Sequence, residues 1–589
     1  MQQIKVFLIA LLTIFVGSAT AQTTSVSTII VNDTTIADAT SLADAIQKAG
    51  ITDSTKVTSI EYKKGTLTGA SYKEGDWALI RTLANLRSLI TDDSVEVADV
   101  PSYEFGDLLC PRLKTIRLTT VKTVGNEAFY RNRLSLDERA FTTIDLPQVE
   151  KIGDKAFAYN TSLTSLSLPK CVTIGQEAFY GCTSLKSISL PSAEEIGKSA
   201  FYNVAIESLT SEMIPKIKRL NDLIFGNCLK LQSVSLDDVD SIAGAFYQCE
   251  ALDSVKLPSV RTITSAAFRS CTALKSISLP ELTTIGKESF YNCNNLSSVI
   301  VPKVTSIGMW AFTYCKSLES IDLPELTTID EESFKDTQFK SLSFPKLVTM
   351  GKSAFLKSAI TSAVFPEVTA ISYEAFGGCK SLKSVSLPKT RVVNAYAFAE
   401  TGLTSIVLPA TDSVMNNIIA NSNPEKIVLP NVRYIEARAF EGAKNLKAVY
   451  LPATPPYETG LFTGVDSVTM YILNSKGELL TGDALATALA TYKKHIDYDA
   501  TTGRWNGLKL TTTNTTAIES VNAGLTKIWS EGGSIYVSTP AATNLTVVSA
   551  IGRMIRMSAV PAGTTTIGNL SSGIYFVRLG NETRKIAVK

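Results

Sequence analysis

Nine cysteines stand among 589 residues. Seven keep one register: Cys182, Cys228, Cys249, Cys271, Cys293, Cys315 and Cys379 each precede a leucine by three residues. Thiols repeated at a fixed interval suggest three chemistries: a disulfide framework, a metal ladder, or a row of small buried hydrophobes. A metal would need histidine or carboxylate partners in the same register, and none keeps it. A disulfide needs Cβ atoms ~3.8 Å apart and turned toward each other. Equivalent positions on stacked strands lie ~4.8 Å apart with parallel Cβ vectors. The register therefore reads as buried, reduced thiols.

Other reactive groups are as sparse. The single histidine, His495, follows Lys493 and Lys494 near the end of a helical stretch. A cation is favoured there by the helix dipole, so His495 reads as a surface residue. Asp237, Asp238 and Asp240 could suggest calcium, but they occupy a degenerate turn and read as solvated. Nucleophile-elbow, phosphate-loop and dinucleotide patterns do not occur. No catalytic, cofactor-binding or metal-binding set is assigned, and the chain reads as non-enzymatic. A net charge of +2 without a long basic run argues against nucleic acid as a partner.

The elements that carry the cysteines repeat. Leu-Pro recurs at Pro147, Pro169 and Pro191, and from Pro258 through Pro280, Pro302 and onward to Pro452, at steps of 21 or 22 residues. Phe157, Phe179, Phe201 and their successors keep step. A fixed short period means a solenoid whose coils bury their apolar edges on one another. In Leu185–Leu190, Ile188 and Leu190 alternate with polar residues as a short half-buried strand, which Pro191 ends. Ile196, Ala200 and Phe201 supply apolar contacts on the return limb, and the Ala-Phe-Tyr stretch reads as one turn of α or 3₁₀ helix.

Leu-x-x-Ile-x-Leu-Pro followed by Ala-Phe-x-x-Cys-x-x-Leu resembles the BspA-like, Treponema-type leucine-rich repeat. The likeness covers residues 111–465 and implies a leucine-rich repeat solenoid of parallel strands with irregular or short helical return limbs. Residues 22–110 break the pattern and read as an amino-terminal cap, with a short helix at Ser41–Ala49. Residues 466–512 read as the other cap, with a helix at Asp483–Lys494 and a closing segment around Trp505.

Met1–Ala21 has a charged start, an apolar run and an Ala-x-Ala end, which predicts a signal peptide and export. No other stretch is long and apolar enough to span a membrane as a helix. Residues 513–589 alternate with period two between Gly-rich turns and predict a small antiparallel β-sandwich. Its Ser572–Gly580 and Lys585–Lys589 segments, with Gly552-Arg553, resemble the sorting domains of type IX secretion in Bacteroidetes. That resemblance implies passage across the outer membrane.

One outward column is made of hydroxyls: Ser187, Ser254, Ser276, Ser298, Ser320, Ser341, Ser384 and Ser405 stand two residues after each strand's leading apolar position. Strand alternation puts them on the outer face, opposite Ile188-type residues. They suit a tightly curved sheet, bonding along the ladder, or form a polar track for an extended ligand. The next column turns apolar toward the carboxy end, at Val407, Val428 and Tyr450. These three are the expected anchors for a protein partner, and Asp at Val407 and Tyr450 is expected to abolish binding without unfolding. The BspA-like resemblance implies a surface adhesin for host matrix or cell-surface protein. Glycan or mucin capture and a self-associating structural role are the alternatives, and the oligomeric state is left open.

Overall fold

The structure is a computed structural model. It describes residues 27–67, 75–97, 99–102, 112–131, 141–457, 461–462, 468–495 and 497–510, and in the tail 527–531, 534–539, 543–549, 554–560, 563–568, 570, 573–579 and 582–588. The expected signal peptide and the Gly552-Arg553 turn lie outside the described residues. The repeats form a β-solenoid of about 14 turns with little helix, and the tail forms small antiparallel sheets. The chain divides into two compact units, Met1–Val260 with Ala266–Leu274, and Arg261–Ser265 with Lys275–Lys589.

The first unit begins with a hairpin, Ser27–Val31 and Thr34–Ala39. Asn32 and Asp33 turn it with φ of 46° and 67°, the left-handed values a tight hairpin needs. Ser27–Val31 pairs antiparallel with Ser59–Leu67, which then pairs parallel with Ser88–Thr91. The ladder continues through Thr115–Arg117 to Thr143–Asp145. The cap thus closes the solenoid edge with an antiparallel strand and hands the sheet on as a parallel one. Helix Leu42–Lys48 is capped by Ser41, whose hydroxyl accepts from the Asp44 N–H, and it buries Leu42, Ala45 and Ile46.

Coils then stack in register: Ser165 on Ser187, Leu166 on Ile188, and Ser208 on Ser233 on Ser254. The return limb holds a second parallel ladder, Lys151–Ile152, Thr173–Ile174 and Glu195–Ile196. In the second unit, Ser276 pairs with Ser298, Ser341 with Ser362 and then Ser384, and Ser405 with Lys426 and then Ala448. The coil holding Ser320 lacks the three-residue strand and is held there by an isolated bridge of Asp322 to Ile300 and by bonds from Gln338 and Lys340 to the Leu318 and Glu319 carbonyls.

The expected helical turn at Ala-Phe-Tyr is not formed. Glu177 and Gly181 sit at φ of 54° and 70°, and Glu288 and Asn292 at 57° and 61°. Left-handed residues four apart alternate the direction of the amides between them. The N–H groups of Glu177, Phe179 and Gly181 donate to the carbonyls of Lys198, Ala200 and Tyr202 in the next coil. A helix would keep those donors inside its own coil.

Phenylalanines form the spine of each unit. Phe157, Phe179 and Phe201 stack nearly parallel at 5.4 and 5.3 Å, and Phe290, Phe312 and Phe334 at 5.1 and 5.4 Å. At the carboxy end, helix Gly482–Lys493 buries Leu485, Ala488, Leu489 and Tyr492. A hairpin of Arg504–Trp505 and Leu508–Leu510 joins the parallel sheet at Thr469–Leu473. The tail pairs Thr543–Ser549 with Met554–Val560 and Gly573–Leu579, the last also pairing with Glu582–Val588. A second sheet pairs Lys527–Glu531 with Ser534–Thr539, and that strand with Gly563–Ile567. Ile535, Val537, Val547, Tyr575 and Val577 form the core of the tail.

Candidate functional site

The outward strand face is built from the central residue's two neighbours in each coil. In Ser187-Ile188-Ser189 and Ser276-Ile277-Ser278 the isoleucine is buried and both serines are exposed. The hydroxyls of Ser187, Ser254, Ser276, Ser298, Ser320, Ser341, Ser384 and Ser405 make no hydrogen bond to one another among the described residues. Bonding along the ladder, the packing explanation for serine at these positions, is therefore not formed. Ser187, Ser254, Ser276, Ser298, Ser320 and Ser341 are exposed, while Ser384 and Ser405 are half-buried.

The apolar end of the neighbouring column differs from expectation. Val428 is 1% exposed and Tyr450 5%, and with wholly buried Leu473 they form a separate apolar cluster. Val407, Ala448, Tyr471 and Leu479 pack against it. Strand alternation does put Val428 and Tyr450 on the outer side, but Leu473, Tyr471 and Leu479 of the carboxy-terminal cap pack into the same cluster, with the Tyr471 ring 4.7 Å from that of Tyr450. They are unavailable as docking anchors in this state, and only half-buried Val407 keeps partial access. Lys426 sits beside them with Nζ 4.9 Å from the Tyr450 ring centre, and burial lowers its pKa. The open apolar residue of this column is Ile300, 55% exposed.

The cysteine register has a structural cause. Each is buried and forms no disulfide, and the thiols of Cys182, Cys228, Cys249, Cys271, Cys315 and Cys379 donate to the carbonyl of the phenylalanine one coil back, as Cys182 to Phe157 at 3.3 Å, Cys315 to Phe290 at 3.1 Å and Cys379 to Phe355 at 3.0 Å. Asn160 and Ser422 make the same bond to Phe129 and Phe398 where cysteine is replaced. The position selects a small side chain with a donor. Burial pushes the Cys182 and Cys379 thiols up to about 12, away from nucleophilic or ligating use at neutral pH.

His495 is not a solvated surface residue. Its Nδ1 lies 3.3 Å from Asp497 Oδ2, and its ring packs edge-on against buried Trp505. Asp237 and Asp238 pair with Lys256 and Lys218 at 3.1 and 3.2 Å, which leaves their turn neutralised. Among the described residues no group of three or more His, Cys, Asp and Glu could hold a metal ion, and no helix is long and apolar enough to cross a membrane.

Two features escape a reading by columns of types. Residues after the strand-ending proline alternate in sign and pair across coils: Glu281 with Lys303 at 2.7 Å, Glu325 with Lys346 at 2.6 Å, Glu367 with Lys389 at 2.6 Å. The signal was present as Pro-Glu and Pro-Lys in turn, after Leu, Val or Phe. On the return limb, half-buried Tyr130, Tyr159, Tyr180 and Tyr202 succeed one another at ring distances of 5.9, 5.4 and 4.9 Å.

The sequence profile described as "BspA type Leucine rich repeat region" matches 6 copies, over residues 150–244, 240–361 and 348–464. The chain belongs to the BspA-type leucine-rich repeat family. No curated protein matches this BspA-type chain. Among solved structures it is similar to a leucine-rich repeat protein from Bacteroides ovatus ATCC 8483, with 20% identity, 71% of this chain and 96% of that chain covered, and a TM-score of 0.39. It is also similar to a leucine rich cell surface protein from Faecalibacterium prausnitzii A2-165, with 19% identity, 57% and 87% covered, and a TM-score of 0.24. An internalin from Listeria monocytogenes is similar at 13% identity, with 56% and 91% covered and a TM-score of 0.21.

Proposed function

We propose that this BspA-type protein is exported and works at the cell surface as a non-enzymatic adhesin. Its partner is a host matrix or cell-surface protein, held non-covalently along the outward strand face. The observation that carries this reading is the row of exposed serine hydroxyls, in register from coil to coil and not bonded to one another. Such a row offers donors and acceptors at ~4.8 Å intervals to an extended chain. Export rests on the signal-peptide pattern of residues 1–21. Residues 513–589 supply location, as their likeness to type IX sorting domains implies.

A second reading, glycan or mucin binding, draws support from the tyrosine run Tyr130–Tyr202 on the return limb.

The test is binding of the full chain to an array of matrix proteins, mucins and glycans, beside a variant carrying Ser187→Glu, Ser276→Glu and Ser341→Glu. Saturable binding to a matrix protein that the triple variant loses supports the adhesin. Binding confined to glycans, and lost in Tyr180→Ala, moves the function to glycan capture. Self-association without binding moves it to a structural role.

A further inference from the structure

The return limb of the second unit carries surface aromatics where the backbone disfavours them. Two residues ahead of each spine phenylalanine the chain is left-handed. Glu177, Ser199, Glu288, Glu332, Ser353 and Glu374 hold that position with φ of 50–57°. In two coils Trp310 and Tyr396 take it, at 59° and 58°. A bulky side chain is uncommon in this region of backbone space. Neither ring fills the core. Both are half-buried at the surface, whereas Trp77 and Trp505 are wholly buried. Tyr373, whose ring lies 5.6 Å from that of Tyr396, is 41% exposed. Core packing does not account for these aromatics.

Backbone bonds fix the register between them. The Trp310 N–H donates to Glu331 O, the Glu332 N–H to Lys352 O and the Ser353 N–H to Tyr373 O, each one coil on. Trp310 and Tyr373 therefore stand three coils apart, ~14 Å at ~4.8 Å per coil. Glu331 and Lys352 lie between them, reach solvent and pair at 3.7 Å. Lys352 Nζ is also 5.5 Å from the Tyr373 ring centre, and Lys287 Nζ is 5.0 Å from that of Trp310. Lys287 pairs in turn with Glu288 at 3.4 Å. Each ring thus has an ammonium donor beside it and a carboxylate nearby, and the charges of the row cancel.

We propose that Trp310 and Tyr373 are the two platforms of a binding site for a linear, neutral glycan lying along the solenoid axis. The C–H face of a pyranose ring packs on an aromatic ring. Its hydroxyls both donate and accept, so one sugar residue serves a lysine and a glutamate together. A row of balanced charge favours such a ligand over a sulfated or uronic glycan and over a basic peptide. Lysine contacts to exposed rings are weak, and the sugar takes their place. A pyranose in an extended chain advances by about the rise of one coil, ~4.8 Å. The sugars on the two rings are then the first and fourth of a tetrasaccharide. The site lies on the return limb, not on the strand face assigned to the protein partner. It rests on the glycan reading and places the sugar on coils other than those of Tyr130–Tyr202.

The test runs the full chain through native gels containing hydroxyethyl cellulose, xylan or glucomannan, with heparin and polygalacturonate as charged controls. The neutral polymer that retards the protein is then supplied as tetrasaccharide and disaccharide in calorimetric titrations. The tetrasaccharide should bind at least ~10-fold tighter, because it alone spans both rings. Trp310→Ala and Tyr373→Ala should each weaken tetrasaccharide binding at least ~10-fold, with melts unchanged, since one platform is lost. Tyr180→Ala should leave it as it is. Wild-type affinity in both folded variants overturns the proposal, as does retardation by no polymer or by the charged ones alone. Retardation lost in Tyr180→Ala and kept in Trp310→Ala overturns this site and leaves the glycan reading to the first unit. Matrix-protein binding in the serine triple variant is read separately, so the adhesin reading stands or falls on its own.

Discussion

The Cys249 thiol donates to the Phe225 carbonyl, one coil back, at 3.1 Å. The bond ties the cysteine register to the phenylalanine spine: the backbone group beside each ring needs a donor, and a thiol supplies one in little space. Cys249→Ser keeps a donor and should cost about 1 kcal/mol, whereas Cys249→Ala leaves a void and an unpaired carbonyl and should cost about 2–3 kcal/mol. Urea unfolding of both variants measures the difference.

The thiols should also be unreactive until the chain unfolds. Eight of the nine cysteines are buried and form no disulfide, and Cys110 lies outside the described residues. A disulfide reagent at pH 8 should label at most one thiol of the native protein and nine in denaturant.

Alkaline pH should destabilise the solenoid. Burial raises Cys171, Cys182 and Cys379 from 9.0 to about 12, and it pushes Tyr492 up as well. Their folded-state values lie above the unfolded ones, so the fold favours the protonated form. That contribution is whole below about pH 9 and is lost as pH rises toward about 12. Urea midpoints should fall across this window, and a Cys182→Ser, Cys379→Ser variant should show a shallower fall.

Val428→Asp and Tyr450→Asp should damage folding rather than binding alone. Each puts a carboxylate into the buried cluster that Val428, Tyr450 and Leu473 form and should cost about 3 kcal/mol. A melt in which the cap's transition moves below that of the rest of the solenoid is the expected sign. An unchanged melt in either variant would contradict the observed burial.

Phe179 is stacked between Phe157 and Phe201 and wholly buried. Phe179→Ala should cost about 3–5 kcal/mol, while Phe179→Leu should cost less. Denaturation of both variants reads the gap between filling the spine and emptying it.

The coil period, the strand at Leu-Lys-Ser-Ile-Ser-Leu and the burial of the cysteines were legible because each is imposed directly by stacking: identical contacts demand identical residues. The return limb was less so. Ala-Phe-Tyr-Gly-Cys has apolar residues three apart, as a helix would, and the left-handed residues that prevent it are glutamates as often as glycines. Glu177, Glu288 and Glu332 give no composition signal for positive φ. At the site, alternation told on which side Val428 and Tyr450 lie, but not what lies above them. The residues that bury them, Tyr471, Leu473 and Leu479, come later in the chain, in a segment outside the period. The charge ladder was written in the residues after each strand-ending proline, yet its meaning needs the coil-to-coil pairing that only stacking supplies.

That ladder restrains how such an array can grow or shrink. Glu281, Lys303, Glu325, Lys346, Glu367 and Lys389 alternate through six successive coils, so each positive residue lies between negative neighbours in the interior of the row. Excision of one coil would set two like charges side by side, whereas excision of two would restore the alternation. Each such pair is exposed and screened by solvent, too weak to decide folding. The alternation therefore has a parity: adding or removing coils in pairs keeps every contact of the row between opposite charges, and an odd step does not.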